Sequence, residues 1–541
     1  RTPATAAAYT CYALRRVDVP KGTPGAYAYT RSAQRTGPAG GLTPVGLAKA
    51  YDLDPGRDRR GQTVALVNWY DDPKALADLN RFDRHYGLKT ETSRSFRKVN
   101  QSGKARDYPR ASRASARETA LDIETTRAVC RTCRILLVEA NGPGDTQLAA
   151  AENTAARLGA TEISNSFGTL EHHVSAEVRD AFDHPGVVIT AATGDAGWYG
   201  WDAVNDDHRS AGRASFPATD PHVVAVGATT LNLHANGTRA SETVWNGNGA
   251  DDAQGIRKGS LGASGGGCSK IFTAASWQRR HAGYAATKCD GKRLAADISA
   301  DGDPQTGFDV VDSDTASGAA NWTTYGGTSL SSPLVAAMFA LAGGAHGSAY
   351  PAASLYVNAT HSPYRLYDVT AGGNSFCGGD TSKACGAATR ADTVNGYTNN
   401  PNAFGLGVTD CTFTRDSSVR TAAYKAPRPE CNATTGYDGP SGLGTPRRPS
   451  LFSPTNPKVT VHHPAHTAAG HRAFVTAKAV ERVHGLHPVR YSWSFGDGKS
   501  SSGSKPGVHH TWTKPGSYPL TLRVTDSSGQ ITIARVHQTV H

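Results

Sequence analysis

Methionine is nearly absent from this chain, with one residue, Met338, among 541. The longest apolar run lies near 333–341 and falls well short of the roughly 20 residues a membrane-crossing helix needs, so a membrane span is not expected. Lysine and arginine never form a block of five. The 57 basic and 46 acidic side chains leave a net charge of +11, but the basic residues are scattered. Nucleic acid is therefore not an expected partner, and the charge reads as the surface of a soluble protein. Glycine (59) and proline (29) follow no three-residue period, which excludes a collagen-like chain. Hydrophobic residues at 38% and charged residues at 19% exclude a wholly disordered one.

What is present begins with nine cysteines, at 11, 130, 133, 268, 289, 377, 385, 411 and 431. Proximity pairs them as Cys130–Cys133, Cys268–Cys289, Cys377–Cys385 and Cys411–Cys431, and leaves Cys11 over. Local pairs in long loops are the pattern of an oxidising compartment. A secreted, extracellular protein is the expectation, with a leader removed ahead of Arg1.

The length allows roughly three to four domains, or one large α/β unit with a small module. Residues 1–41 are polar and read as an extended arm. From Leu42 helical and apolar strand patterns alternate. TPVGLAKAYDL reads as a helix capped by Thr43, QTVALVNWY as a buried strand, and ARETALDIETTRAV as a helix. Further along, CRILLVEAN, TEISNSFG, VVITAATGDAG and HVVAVGATT read as strands. This alternation implies a mostly parallel sheet flanked by helices, with chemistry at the carboxyl ends of the strands. Residues 375–431 break the rhythm and read as a cysteine-pinned insertion. A Pro-rich linker at 447–457 leads into short alternating strands over 458–541, a small β-sandwich.

Three places can carry chemistry. In TTYGGTSLSSP, Ser329 follows two glycines and opens an apolar helix, either as a nucleophile or as an N-cap. Glu118 and Asp122 are spaced i, i+4 in RETALDIE, as a proton-sharing pair or as a solvated acidic face with Glu124, Arg117 and Arg127. Asp195 closes an apolar strand in ATGDAG, where it is solvated, metal-bound, protonated as an oxyanion donor, or an ordinary turn residue. No histidine sits in the tight Gly/Thr setting that would mark it as the base for Ser329.

Taken together, the ordered blocks GLTPVGLAKAYDL, GQTVALVNWYDDPKALADLNRF, RETALDIE, ISNSFG, TGDAG, SFPATDPHVVAVGATTL, SGGGCSKIF with SWQ, AADISADGDPQTGFDV, GGTSLSSP and GYDGPSGLGTP resemble the sedolisin family. These are serine-carboxyl peptidases with a subtilisin-like fold, and the resemblance covers about residues 42–446. It implies Ser329 as nucleophile, Glu118 as general base and acid, Asp122 as the residue orienting Glu118, and Asp195 as the oxyanion-hole acid. An acyl-enzyme route at acid pH on protein or peptide substrates follows from it. A silent, binding-only relative is the alternative.

The same resemblance implies one Ca2+ ion held by Asp368, Val369, Thr434, Gly436 and Asp438, with Thr434 where the family usually has Gly. It also implies a propeptide ahead of the catalytic unit, either removed or replaced by a short arm, with Cys11 tethered or free. The segment YSWSFGDG with PGSYPLTLRVTD resembles PKD domains, which implies contact with a polymer or protein. Trp493 and Trp512 are expected inside that sandwich rather than on a binding face. A monomer is expected.

Overall fold

The computed structural model describes residues 9–16, 37–199, 213–246, 262–313, 320–374 and 429–541, and the backbone of two short strands, Thr393–Val394 and Tyr397–Thr398. The chain ahead of the C-terminal β-module, which begins at Lys458, forms an α/β unit around an eight-stranded sheet. From one edge its strands run Arg239–Val244, Val224–Leu233, Val188–Ala192, Glu162–Asn165, Thr63–Trp69, Arg134–Ala140 and Phe96–Asn100. Ile298–Asp301 adds to Val224–Leu233. All pairings are parallel except that of the edge strand Arg239–Val244.

The strands are apolar throughout because both faces are covered. Alternate residues of one strand enter different cores: Val64 and Leu66 face one, Ala65 and Val67 the other. The helices Arg113–Val129 and Thr328–Ala342 pack in the first core, and Asp145–Arg157 in the second. Each fully buried Leu, Ile or Val contributes about 1.5–3 kcal/mol, so these two layers hold the unit together. Thr43 caps the short helix Pro44–Ala50 as its sequence predicts, accepting from the Gly46 amide at 3.1 Å.

The segment Tyr9–Arg16 is part of the arm, and it is not loose. Thr10–Cys11 pairs antiparallel with Phe167–Gly168, and Leu14–Arg15 with Tyr325–Gly326. Of the expected disulfides, Cys130–Cys133 and Cys268–Cys289 are formed. Cys431 is also disulfide-bonded, while Cys377, Cys385 and Cys411 lie outside the described residues, as does most of 375–431. Cys11 is a free thiol.

Residues 447–457, expected as a spacer, are packed instead. Leu451 and Phe452 are fully buried, and the Phe452 ring meets Phe339 of the central helix at 4.8 Å. The β-module that follows is a sandwich of a three-stranded and a five-stranded sheet. Trp493 and Trp512 lie inside it with Leu520, Leu522 and Val524, and Trp512 Nε1 donates to the Phe495 carbonyl at 2.9 Å. Both indoles are therefore core residues and not a binding face. The module also touches the α/β unit: Ile533 N donates to Gly347 O at 2.9 Å, and Ala349 N to Ile531 O at 2.8 Å. Among the described residues no helix is long and apolar enough to cross a membrane.

Candidate active site

Ser329 lies in the first turn of the helix Thr328–Ala342. The N-cap is Gly327, so the capping role open to Ser329 in the sequence is not the one it has. Gly327 sits at φ +91°, which favours glycine, and its missing side chain leaves room beside Asp195: a Cβ there would come within 2.5 Å of Asp195 Oδ2.

The helix Arg113–Val129 packs against that of Ser329, and it buries an acidic row. Glu118, Asp122 and Glu124 are all inaccessible. The solvated acidic face is thus ruled out: Arg127 pairs with Glu91 and Arg117 with Asp312, not with the row itself. Glu124 turns elsewhere and accepts from Val311 N at 3.0 Å.

Asp122 is held from two sides. Its Oδ1 accepts from Ser166 Oγ at 2.6 Å and its Oδ2 from Asn68 Nδ2 at 2.9 Å. Burial pushes its carboxyl up to about 7, against the pull of those two donors. Glu118 is driven well above the usual carboxylate range, first by burial and next by the charge of Asp122. The hydroxyl of Ser329 and the amide of Ala13 act the other way. Two such carboxyls hold their protons as a pair rather than singly.

Asp195 comes from the opposite side, after the strand Val188–Ala192. Its Oδ1 accepts from Thr328 N at 2.8 Å and from Thr328 Oγ1 at 2.7 Å. Oδ2 is buried and has no partner among the described residues. Burial raises this carboxyl to about 7, and the two bonds from Thr328 moderate the shift. The free oxygen is the one available to carry a proton and donate it to a ligand.

The four residues singled out in the sequence thus gather around the start of one helix. Asn68, Ser166 and Thr328 join them, and no role for these three was apparent from sequence. Ser166 is the most connected: its hydroxyl bonds Asp122, and its carbonyl accepts from Ser329 Oγ at 3.2 Å. The only signal for them was position, since they lie within the motifs VALVNW, ISNSFG and GGTS respectively. No hydrogen bond joins a histidine to Ser329 among the described residues; His172 pairs instead with Asp145 at 3.0 Å.

The second site expected from the sequence is also drawn together. Gly436 N donates to Asp368 Oδ2 at 3.0 Å, and Thr434 N to Asp438 Oδ2 at 2.8 Å. Asp438 Oδ1 accepts from Ser441 N and Oγ at 2.9 and 2.7 Å. Val369 is buried in a small cluster with Val244 and Ala433. Among the described residues no group of three or more His, Cys, Asp or Glu side chains is gathered for a metal. The ligand set expected from the sequence would be two carboxylates with main-chain oxygens, a hard, oxygen-only set of the kind that suits Ca2+ rather than a softer ion. Burial, helped by the charge of Asp368, raises Asp438 to about 8 against the donors from Thr434 and Ser441.

A layered α/β unit with a serine opening the central helix, two carboxyls on the helix packed against it and a third just after a strand defines a subtilisin-like fold. A subtilase-family model matches residues 112–407, and a PKD-domain model matches 454–540. The chain belongs to the subtilase family and carries a C-terminal PKD domain, and it is similar to sedolisins within that family. Among curated proteins it is 27% identical over 362 residues to Sedolisin of Pseudomonas sp. (strain 101), a match covering 64% of this chain and 59% of that protein. Kumamolisin of Bacillus sp. (strain MN-32) is 30% identical over 314 residues, 55% of this chain and 51% of that protein. The chain therefore spans about half the length of these relatives. A solved structure of Pseudomonas sedolisin, a serine-carboxyl proteinase complexed with two molecules of pseudo-iodotyrostatin, shares the fold with a TM-score of 0.56 at 24% identity, covering 77% of this chain and 98% of that one.

Proposed function

We propose that the chain is a serine-carboxyl endopeptidase that hydrolyses peptide bonds through an acyl-enzyme at acid pH. The observation that carries the reading is the convergence of Ser329 with three desolvated, proton-rich carboxyls, Glu118, Asp122 and Asp195. Ser329 attacks the peptide carbonyl. With the Glu118–Asp122 pair carrying a single proton, Glu118 takes the proton of Ser329 and returns it to the leaving amine, and Asp122, steadied by Asn68 and Ser166, orients Glu118. Asp195 stays neutral below about pH 7 and donates from Oδ2 to the oxyanion. A neutral acid is the better donor here, because an ionised Asp195 would repel the negative charge that develops.

Asp368, Asp438 and the carbonyls of Val369, Thr434 and Gly436 would hold a Ca2+ ion, which would brace the loops around it and supply no reacting group. The PKD module serves as a contact surface for a polymer or protein, and the protein acts outside the cell as a monomer. The test is Ser329→Ala, assayed on a denatured protein across pH 3–8. Loss of cleavage with the fold retained is expected; undiminished cleavage would remove Ser329 as nucleophile.

A further inference from the structure

The parallel sheet has two ends, and the candidate active site occupies only one. On the strand Thr63–Trp69, Asn68 reaches Asp122, while Thr63, roughly 17 Å earlier along the strand, borders a cavity of about 1010 Å3. The strands Phe96–Asn100 and Arg134–Ala140 start on the same side, since Thr63 is the register partner of Arg134 and Phe96 that of Ile135. Exposed cationic side chains line this cavity: Arg60, Lys89, Arg94, Arg97, Arg131 and Arg134. They are scattered in the sequence, and the fold gathers them. Arg60 pairs with Asp58, and the other five meet no carboxylate among the described residues. Glu91 is the one carboxylate on the lining; its side chain is buried and committed to Arg127. No histidine borders the cavity, and its one aromatic ring, Phe96, is buried.

One wall is held in place from below. Arg127 Nη1 donates to the carbonyls of Cys130, Arg131 and Cys133 at 3.1, 3.0 and 3.0 Å, and the Cys130–Cys133 disulfide closes the same turn. The backbone that carries Arg131 is thereby ordered before any ligand arrives. Arg127 is itself on the lining and only 2% exposed, and its Nη2 has no hydrogen-bond partner among the described residues. A buried guanidinium N–H left open beside a cationic cavity is a donor without its acceptor.

We propose that this cavity binds an anionic polysaccharide through its sulfate or phosphate groups, at the end of the sheet away from Ser329. Arginine dominates the lining, and its planar fork pairs two-pronged with such oxyanions. Cations spread over a cavity of this size suit several anionic groups on one chain rather than a lone ion. Nucleobases find no exposed ring to stack on, whereas Thr90, Thr92 and Ser93 offer hydroxyls to sugars. Sulfate and phosphate esters also keep their charge at acid pH, where carboxylates lose theirs at about pH 4. That choice of anion rests on the peptidase reading above; the site does not.

The experiment titrates the full Ser329→Ala chain calorimetrically at pH 4 and pH 7. The probes are dextran sulfate, uncharged dextran, inorganic phosphate, polyglutamate and a thymidine oligonucleotide. Saturable binding of dextran sulfate at both pH values is expected, with phosphate competing only at far higher concentration. Arg94→Gln, Arg97→Gln and Arg131→Gln combined, all at exposed positions, should weaken it by roughly tenfold or more. Arg472→Gln, Lys478→Gln and Arg535→Gln, an equal loss of charge from the β-module, should leave it nearly unchanged. Equal weakening in both triple variants would mean attraction by net charge alone and would overturn the proposal. So would binding of phosphate, polyglutamate or the oligonucleotide as tight as that of dextran sulfate at pH 4, or no binding of dextran sulfate at all. Binding is read without any cleavage, so failure of the peptidase reading would appear in assays of the active chain and not in this titration.

Discussion

Replacing Asp195 by asparagine tests the neutral-acid role without relying on activity. In the folded chain the Asp195 carboxyl is raised from 3.8 to about 7 by burial. That gap, about 3 pH units at 1.36 kcal/mol each, is at most about 4 kcal/mol of preference for the protonated form. The sign follows from proton linkage. Below pH 3.8 the carboxyl is neutral in both folded and unfolded chains and costs nothing. Between 3.8 and about 7 the unfolded chain ionises first and is favoured, so folded stability falls as pH rises, then levels off. The asparagine side chain is not ionisable; it keeps the acceptor for Thr328 and places an amide where Oδ2 stood. In a Ser329→Ala background, which prevents self-digestion, denaturant unfolding at pH 4 and pH 8 should show the asparagine chain gaining on its parent by about 2–4 kcal/mol at the higher pH. A stability difference between the two chains that does not change with pH would mean that Asp195 is already ionised at pH 4, and the donor role would be lost.

Ser166→Ala removes a donor that favours ionised Asp122, so the Asp122 carboxyl should rise above about 7, and the acid limb of kcat, where the Glu118–Asp122 pair gives up the proton that lets Glu118 act as base, should move to higher pH; an unmoved limb argues against coupling. The Asp195→Asn enzyme should lose about a hundredfold or more in kcat at acid pH, the scale of one oxyanion donor, as measured on a short peptide. Asp438→Asn should lower the melting temperature and abolish its response to a Ca2+ chelator; a melting curve identical to the parent's would count against the cation. Trp512→Ala should cost the PKD module about 3–5 kcal/mol, read by denaturant unfolding of the full chain.

Much of the site was legible because its residues sit in short motifs whose chemistry is local. RETALDIE places Glu118 and Asp122 one turn apart on a helix whatever the rest of the chain does. GGTS marks a tight turn into a helix, and the apolar strand before TGDAG ends where a parallel sheet presents its ligands. The same holds for Trp493 and Trp512, whose apolar alternation foretold a sandwich core.

Burial was not legible. Spacing leaves RETALDIE as readily solvated as buried, and only its packing against the helix Thr328–Ala342 raises Glu118 and lifts Asp122 to about 7. The role of Ser166 depends on a strand that meets Asp122 across a sequence separation of 44 residues. The linker at 447–457 read as a spacer from its prolines, yet Leu451 and Phe452 find a hydrophobic surface to fill. Periodicity was enough for the class of fold, and the ordered motifs for the family resemblance and for the side chains proposed to react. Their protonation and their supporting donors came only with the packed chain. Those features depend on desolvation and on contacts between distant segments, which no local pattern encodes.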